Sequence, residues 1–342
     1  DVLSRALEGG GGPNRLLRAF LWSLAAAASI ASVRDLLVGY PWFADLEIPL
    51  RAAQRWLDGG QPYLASSFEA PPGYDLPFLY PPLVLPFLAP LALLPRVIVV
   101  AAWIGACAWA ALWALRRLGL PPAVAPLILL WPPFAEGIIG GNVQILLVAG
   151  FVLILFDPSA RRWRTRSRDP RASTRPRLED GLPGSAILAM KVSQPYVWIG
   201  LLRRRPAAAL AGLGAVLALA VGTLPLVGVD TWHAWSLQLQ RAADPAWVLG
   251  GASLGAGQPP AIVLIIAATT AALCLVAPVA RLGAWVGMLA VVGAPSLRMF
   301  GVLYALPAML TVRREVALLA AALIATHYSD GLWLGIFLVL GA

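Results

Sequence analysis

Apolar windows of about 18 to 20 residues recur from Leu16 to the C-terminus, separated by short polar or basic stretches. A helix of about 20 apolar residues matches the hydrocarbon thickness of a bilayer. So many windows, so evenly spread, exclude a signal peptide or a single anchor. They predict an all-α, polytopic transmembrane chain of roughly 9 to 12 helical segments. Windows fall near 16–38, 97–115, 121–136, 142–156, 207–228, 259–280, 282–297, 299–312 and 315–340. The last contains THYSDG at 326–331 and reads as two shorter helices.

The polar stretches orient these windows. Arg15 and Arg18 precede the first, whereas Asp35, Asp45, Glu47, Asp58, Glu69 and Asp75 close or follow it. Under the positive-inside rule the N-terminus is cytoplasmic and residues 40–78 lie outside. The run RRWRTRSRDPRASTRPR, Arg161 to Arg177, has no apolar periodicity. It predicts a disordered cytoplasmic loop over about 157–182. Arg203 to Arg205, then Arg313 and Arg314, mark further cytoplasmic ends.

Two segments then cannot cross. Residues 79–95 hold Pro81, Pro82, Pro86, Pro90 and Pro95, which break a continuous helix. They predict a broken or re-entrant element on the outer side, within an outer loop at about 40–95 that carries juxtamembrane helices. Residues 183–202 lie between two basic ends, so they should enter and return as a hairpin with Lys191, Ser193, Gln194 and Pro195 at its tip. A polar loop at about 229–258 faces outside, with Trp232, Trp235 and Trp247 at the interface. The whole chain, 1–342, reads as one integral membrane domain.

Composition sharpens this picture. With 59% hydrophobic and 13% charged residues, lipid must be the main solvent. The net charge of +9 comes from arginines placed between apolar windows, a topology signal that implies no nucleic-acid partner. Cys107 and Cys274 both sit in apolar windows, so no disulfide framework or cysteine metal cluster is visible.

Ionisable groups at membrane depth are costly and mark function by default. The stretch YPWFADLEIPLRAAQRWLDGGQPY, 40–63, reads as a helix along the interface, with Asp45 also suited to an N-cap position. FLYPPL, 78–83, follows a polar loop. In EGIIGGNVQ, 136–144, Gly140 and Gly141 allow close approach, while Asn142 and Gln144 offer amides for a substrate or for interhelical bonding. Lys191 lies too far from Arg203 to reach the cytoplasmic surface by snorkelling. With Gln194 and Arg298 it suggests a cavity for an anion, phosphate above all.

In this order the motifs resemble glycosyltransferase family 87. They run Asp45, Ala52, Ala53, Gly60, Pro62 and Tyr63, then Tyr80 to Leu83, then Gly141, Asn142 and Gln144, then Lys191 and Pro195. The resemblance spans roughly residues 35–310. The family's G-Q-x-N is here G-N-V-Q, with the amides exchanged. A late S-P-x-S-W-x-H of some members is replaced by APSLRMF, 294–300, which lacks the histidine and carries Arg298.

The resemblance implies a GT-C fold in a bacterial plasma membrane, with the active site on the extracytoplasmic side. It implies transfer of a hexose or pentose, mannose first, from a polyprenyl phosphate to a lipid or glycan acceptor, with inversion. Asp45 is then the general base and Lys191 and Arg298 bind the donor phosphate. Glu47, Tyr63, Tyr80, Asn142, Gln144 and Gln194 bind substrate. No cofactor is expected, although the Asp45–Glu47 pair would suit Mg²⁺ or Mn²⁺. Rival readings are a lipid or small-molecule flippase using the same cavity, and a pseudoenzyme.

Overall fold

A computed structural model of the chain describes residues 12–39, 42–64, 77–121, 124–156, 195–242, 253–254, 258–278, 281–294, 297–326 and 329–342. Among the described residues the regular structure is helical, with no strand. In chain order the first helices are α1 (Gly12–Gly39) and α2 (Ala44–Leu57), then a 3-10 turn (Pro82–Val84) leading into α3 (Leu85–Ala92). There follow α4 (Arg96–Arg117), α5 (Ala125–Ile128), α6 (Pro132–Gly140) and α7 (Gln144–Leu155). Next come α8 (Pro195–Arg204), α9 (Pro206–Val227), α10 (Val229–Ala242), α11 (Pro260–Val276) and α12 (Leu282–Val292). A 3-10 segment (Met299–Ala305) precedes α13 (Leu306–Met309), α14 (Arg314–Ala325) and α15 (Ser329–Leu340).

This is the expected all-α polytopic membrane fold. Helices α4 and α9 are long and apolar enough to cross a bilayer, and a third such window lies within Arg15–Leu57. At 1.5 Å per residue, the 22 residues of α4 span about 33 Å. Much of α4's apolar surface faces outward, with Val97 79% and Trp109 68% exposed, as lipid contact requires.

Proline and glycine cut the other windows. Pro82 and Pro86 start the 3-10 turn and α3, and Pro90 lies inside α3, so 79–95 is broken as its composition predicts. The window at 121–136 divides into α5 and α6 at Pro132 and Pro133. The last window is two helices, α14 and α15. The segment read as a polar loop from residue 229 opens instead with helix α10. Its buried Thr231 and Gln238 are polar, so the hydrophobic pattern disguised an amphipathic helix. The basic loop 157–182 and the hairpin-tip residues Lys191, Ser193 and Gln194 fall outside the described residues, while Pro195 opens α8.

Side-chain contacts fix the directions of the helices. Helix α1 packs on α14, and Arg18 near its start pairs with Glu315 in the first turn of α14. At the other end of α1, the Phe43 N–H donates to Ile139 O near the end of α6, so α6 runs with α1. A tight turn then sends α7 back. At its far end Arg117 of α4 donates to Phe156 O, and Arg204 of α8 donates to Leu155 O. Arg203 donates to Cys274 O and Ala277 O at the end of α11. Arginines thus cap the carboxyl ends of α7 and α11, where the helix dipole favours positive charge and orphan carbonyls need donors. These basic ends gather on the side where α1 begins, opposite the α6–α7 turn.

The core lies between α7, α8, α12 and the 3-10 segment. Phe151 meets Tyr304 edge to face at 5.2 Å, and a side chain at Gly287 would strike the Tyr304 carbonyl at 2.0 Å. Small residues allow such close backbone approach, which membrane helices use in place of a hydrophobic driving force. An Arg203→Met variant should lower the melting temperature by several degrees, since a charged donor to two helix-end carbonyls contributes about 1.5–3 kcal/mol. Thermal unfolding in detergent or nanodiscs measures it.

Candidate active site

The polar cluster forms where the chain leaves α1. Phe43 adopts φ 59, ψ 23, the left-handed region, and stands at the N-cap of α2 without a side-chain cap bond. Asp45 is therefore not the cap. It lies with Glu47 in the first turn, where carboxylates complement the helix dipole.

The GIIGG turn seats against this first turn. Gly141 has φ 73, and a Cβ there would lie 2.7 Å from the Leu46 Cβ. Only glycine fits both the conformation and the approach. Asn142 follows at once, its N–H bonded to Gly137 O at 2.9 Å. Its Oδ1 accepts the Gln144 N–H at 2.9 Å, which fixes which end of the amide is the donor. Its Nδ2 then donates to Asp45 Oδ2 at 2.7 Å. Asp45 is half-buried, Asn142 is buried, and Gln144 is fully buried at the start of α7.

Tyr80 completes the cluster. Burial first, and the nearby Asp45 carboxylate second, push its phenol above the ordinary tyrosine range. It therefore stays protonated at working pH and can act as a hydrogen-bond donor, not a base. Tyr63, also pushed up by burial, donates from its hydroxyl to Tyr80 O at 2.6 Å. Its ring stacks on Phe78 at 5.2 Å, and Phe78 in turn packs on Tyr80 at 5.6 Å.

Glu47 is engaged elsewhere. Its carboxylate pairs with Arg96 at 2.6 Å and with Arg51 at 3.7 Å, tying α2 to the start of α4. Those guanidiniums would compete with a metal cation at Glu47. Among the described residues no group of three or more His, Cys, Asp or Glu gathers to hold one.

Arg298 is exposed at the start of the 3-10 segment. Two residues on, Phe300 packs on Gly137, whose carbonyl holds the Asn142 N–H. Lys191 and Gln194 lie outside the described residues. Sequence reasoning assigned no role to Glu136, which is 3% exposed in α6. An acid inside an apolar window was its available signal. Arg96 was equally silent, because nothing local marks it as the partner of Glu47.

Fold and cluster together define an integral membrane protein with a polar cluster around Asp45 at the end opposite its basic helix termini. The chain belongs to glycosyltransferase family 87, whose family model matches residues 78–258. It is 28% identical over 272 residues to a polyprenol-phosphate-mannose-dependent alpha-(1-2)-phosphatidylinositol mannoside mannosyltransferase of Mycobacterium tuberculosis. That match covers 71% of this chain and 58% of the relative, so the chain spans somewhat over half the relative's length. No solved structure matches the chain.

Gly141→Ala should cost about 2–3 kcal/mol, because it combines a strained backbone with overpacking against Leu46. Thermal unfolding reads this as a clear fall in melting temperature. Glu47→Gln should cost about 1 kcal/mol or less, since its pairs are partly exposed to solvent.

Proposed function

We propose that this chain transfers a sugar, mannose first, from a polyprenyl phosphate to a hydroxyl of a lipid or glycan acceptor, with inversion at the anomeric carbon. The observation that carries the proposal is the Asn142–Asp45 bond, which holds one carboxylate at the end opposite the arginine-rich termini. Family membership and the activity of the mycobacterial relative, as its name gives it, support the reaction class and the donor. The positive-inside rule assigns the arginine-rich ends to the cytoplasm and so Asp45 to the extracytoplasmic side.

In the reaction, the acceptor oxygen attacks the anomeric carbon as its proton passes to Asp45. The bond between that carbon and the phosphate oxygen breaks, and its electron pair leaves with the polyprenyl phosphate. This leaving group is already a stabilised anion, so no general acid is required. Asn142 donates to Oδ2 of Asp45 and so fixes the carboxylate that receives the proton. Lys191, and Arg298 after it, stabilise the growing phosphate charge. Tyr80, as donor, and Gln194 contact the sugar or acceptor, while the buried Tyr63 and Gln144 support the site from behind.

Purified protein incubated with polyprenyl-phosphate sugars and lipid acceptors, followed by mass spectrometry of the products, tests the activity. Asp45→Asn should lower transfer by about 10²–10⁴-fold while the melting temperature holds. Unchanged transfer would show that Asp45 is not the base. Lys191→Ala should weaken the donor's KM, and an effect confined to the acceptor would remove its phosphate role.

A further inference from the structure

Helix α10 lies far from Asp45 in the chain, yet two of its side chains reach the segments that carry Tyr63 and Tyr80. The Trp235 Nε1–H donates to Leu79 O at 3.1 Å. The Gln238 amide donates to Leu64 O at 3.3 Å, and Gln238 is 1% exposed. Positions three apart share a face of a helix, so one face of α10 holds both segments.

The consequence falls on Tyr80. The Leu79 carbonyl is held by Trp235, and the Tyr80 carbonyl is held by the Tyr63 hydroxyl at 2.6 Å. Each carbonyl belongs to a planar peptide unit, so the units on both sides of the Tyr80 Cα are pinned. With both planes set, the Cα–Cβ direction of Tyr80 is set too, and Phe78 packs on its ring at 5.6 Å. Trp232 packs edge-on against Trp235 at 5.5 Å, and both join the apolar cluster of Ala52, Ala53, Tyr63 and Phe78. The base of α10 is anchored as well, because the Thr231 hydroxyl bonds Val227 O at the end of membrane-crossing α9.

We infer that α10 is a clamp that fixes the segments carrying Tyr63 and Tyr80, with Trp235 and Gln238 as positioning residues for acceptor binding. Its kinetic consequence rests on the glycosyl-transfer reading; its structural part does not. A buried amide on an amphipathic helix is otherwise a poor choice, since its burial costs free energy unless it is bonded.

The test uses the full chain in nanodiscs with Trp235→Phe, which keeps an aromatic ring, Gln238→Met, which keeps the side-chain length, and the double variant, each removing a donor. Hydrogen exchange of the Leu64, Phe78, Leu79 and Tyr80 amides is followed by mass spectrometry. Transfer from polyprenyl phosphate mannose to phosphatidylinositol mannoside is measured alongside. The amides should exchange faster in the double variant, and the acceptor KM should rise about tenfold with kcat nearly unchanged. Trp235→Phe alone, the mildest change, should show the same effects at smaller size. Unchanged exchange overturns the clamp. So does faster exchange with an unaltered acceptor KM, or a fall in melting temperature alone. If the unsubstituted chain transfers no sugar, the glycosyl-transfer reading fails, and the exchange result by itself decides the clamp.

Discussion

The seat of Gly141 against Leu46 is the contact on which the polar cluster depends. Any side chain at Gly141 would push the α6–α7 turn away from α2. That displacement would break the 2.7 Å bond between Asn142 and Asp45, because hydrogen bonds weaken steeply with distance and misalignment. The Phe43–Ile139 backbone bond closes the same junction from the other side. A carboxylate near lipid needs fixed donors, and here it takes one from a buried asparagine whose own orientation is locked by the next helix.

The same economy governs the opposite end of the bundle. Arginines that a topology rule reads only as positive charge are also structural donors. Arg117, Arg203 and Arg204 each turn to a helix-end carbonyl, so charge that orients the chain also satisfies backbone groups that lipid cannot. Short helices such as α6 and α12 are tolerated for a related reason. The ends of α6 and α12 are buried against other protein segments instead of meeting hydrocarbon.

Much of the fold was legible because membrane helices obey a composition rule. The windows at 97–115 and 207–228 became α4 and α9 with little change. Proline positions foretold the break at 79–95 and THYSDG the split between α14 and α15. The loop reading from residue 229 failed because buried Thr231 and Gln238 look solvent-facing until their partners are known. Of the proposed site, Asp45, Asn142 and Tyr80 do come together, 97 residues apart in the first pair. Glu47 turned instead to Arg96, a choice set by three-dimensional proximity that no local pattern encodes.

What the sequence determined by itself is therefore the solvent, the class of fold and the types of side chain from which a site could be built. Those follow from apolar length, proline placement and the cost of burying polar groups, all local properties. Which carboxylate meets the amide, which is tied up by an arginine, and which helix holds Tyr80 in place were decided only by the tertiary structure. Such choices depend on close approaches between distant segments, like that of Gly141 to Leu46, and a linear pattern carries no distances.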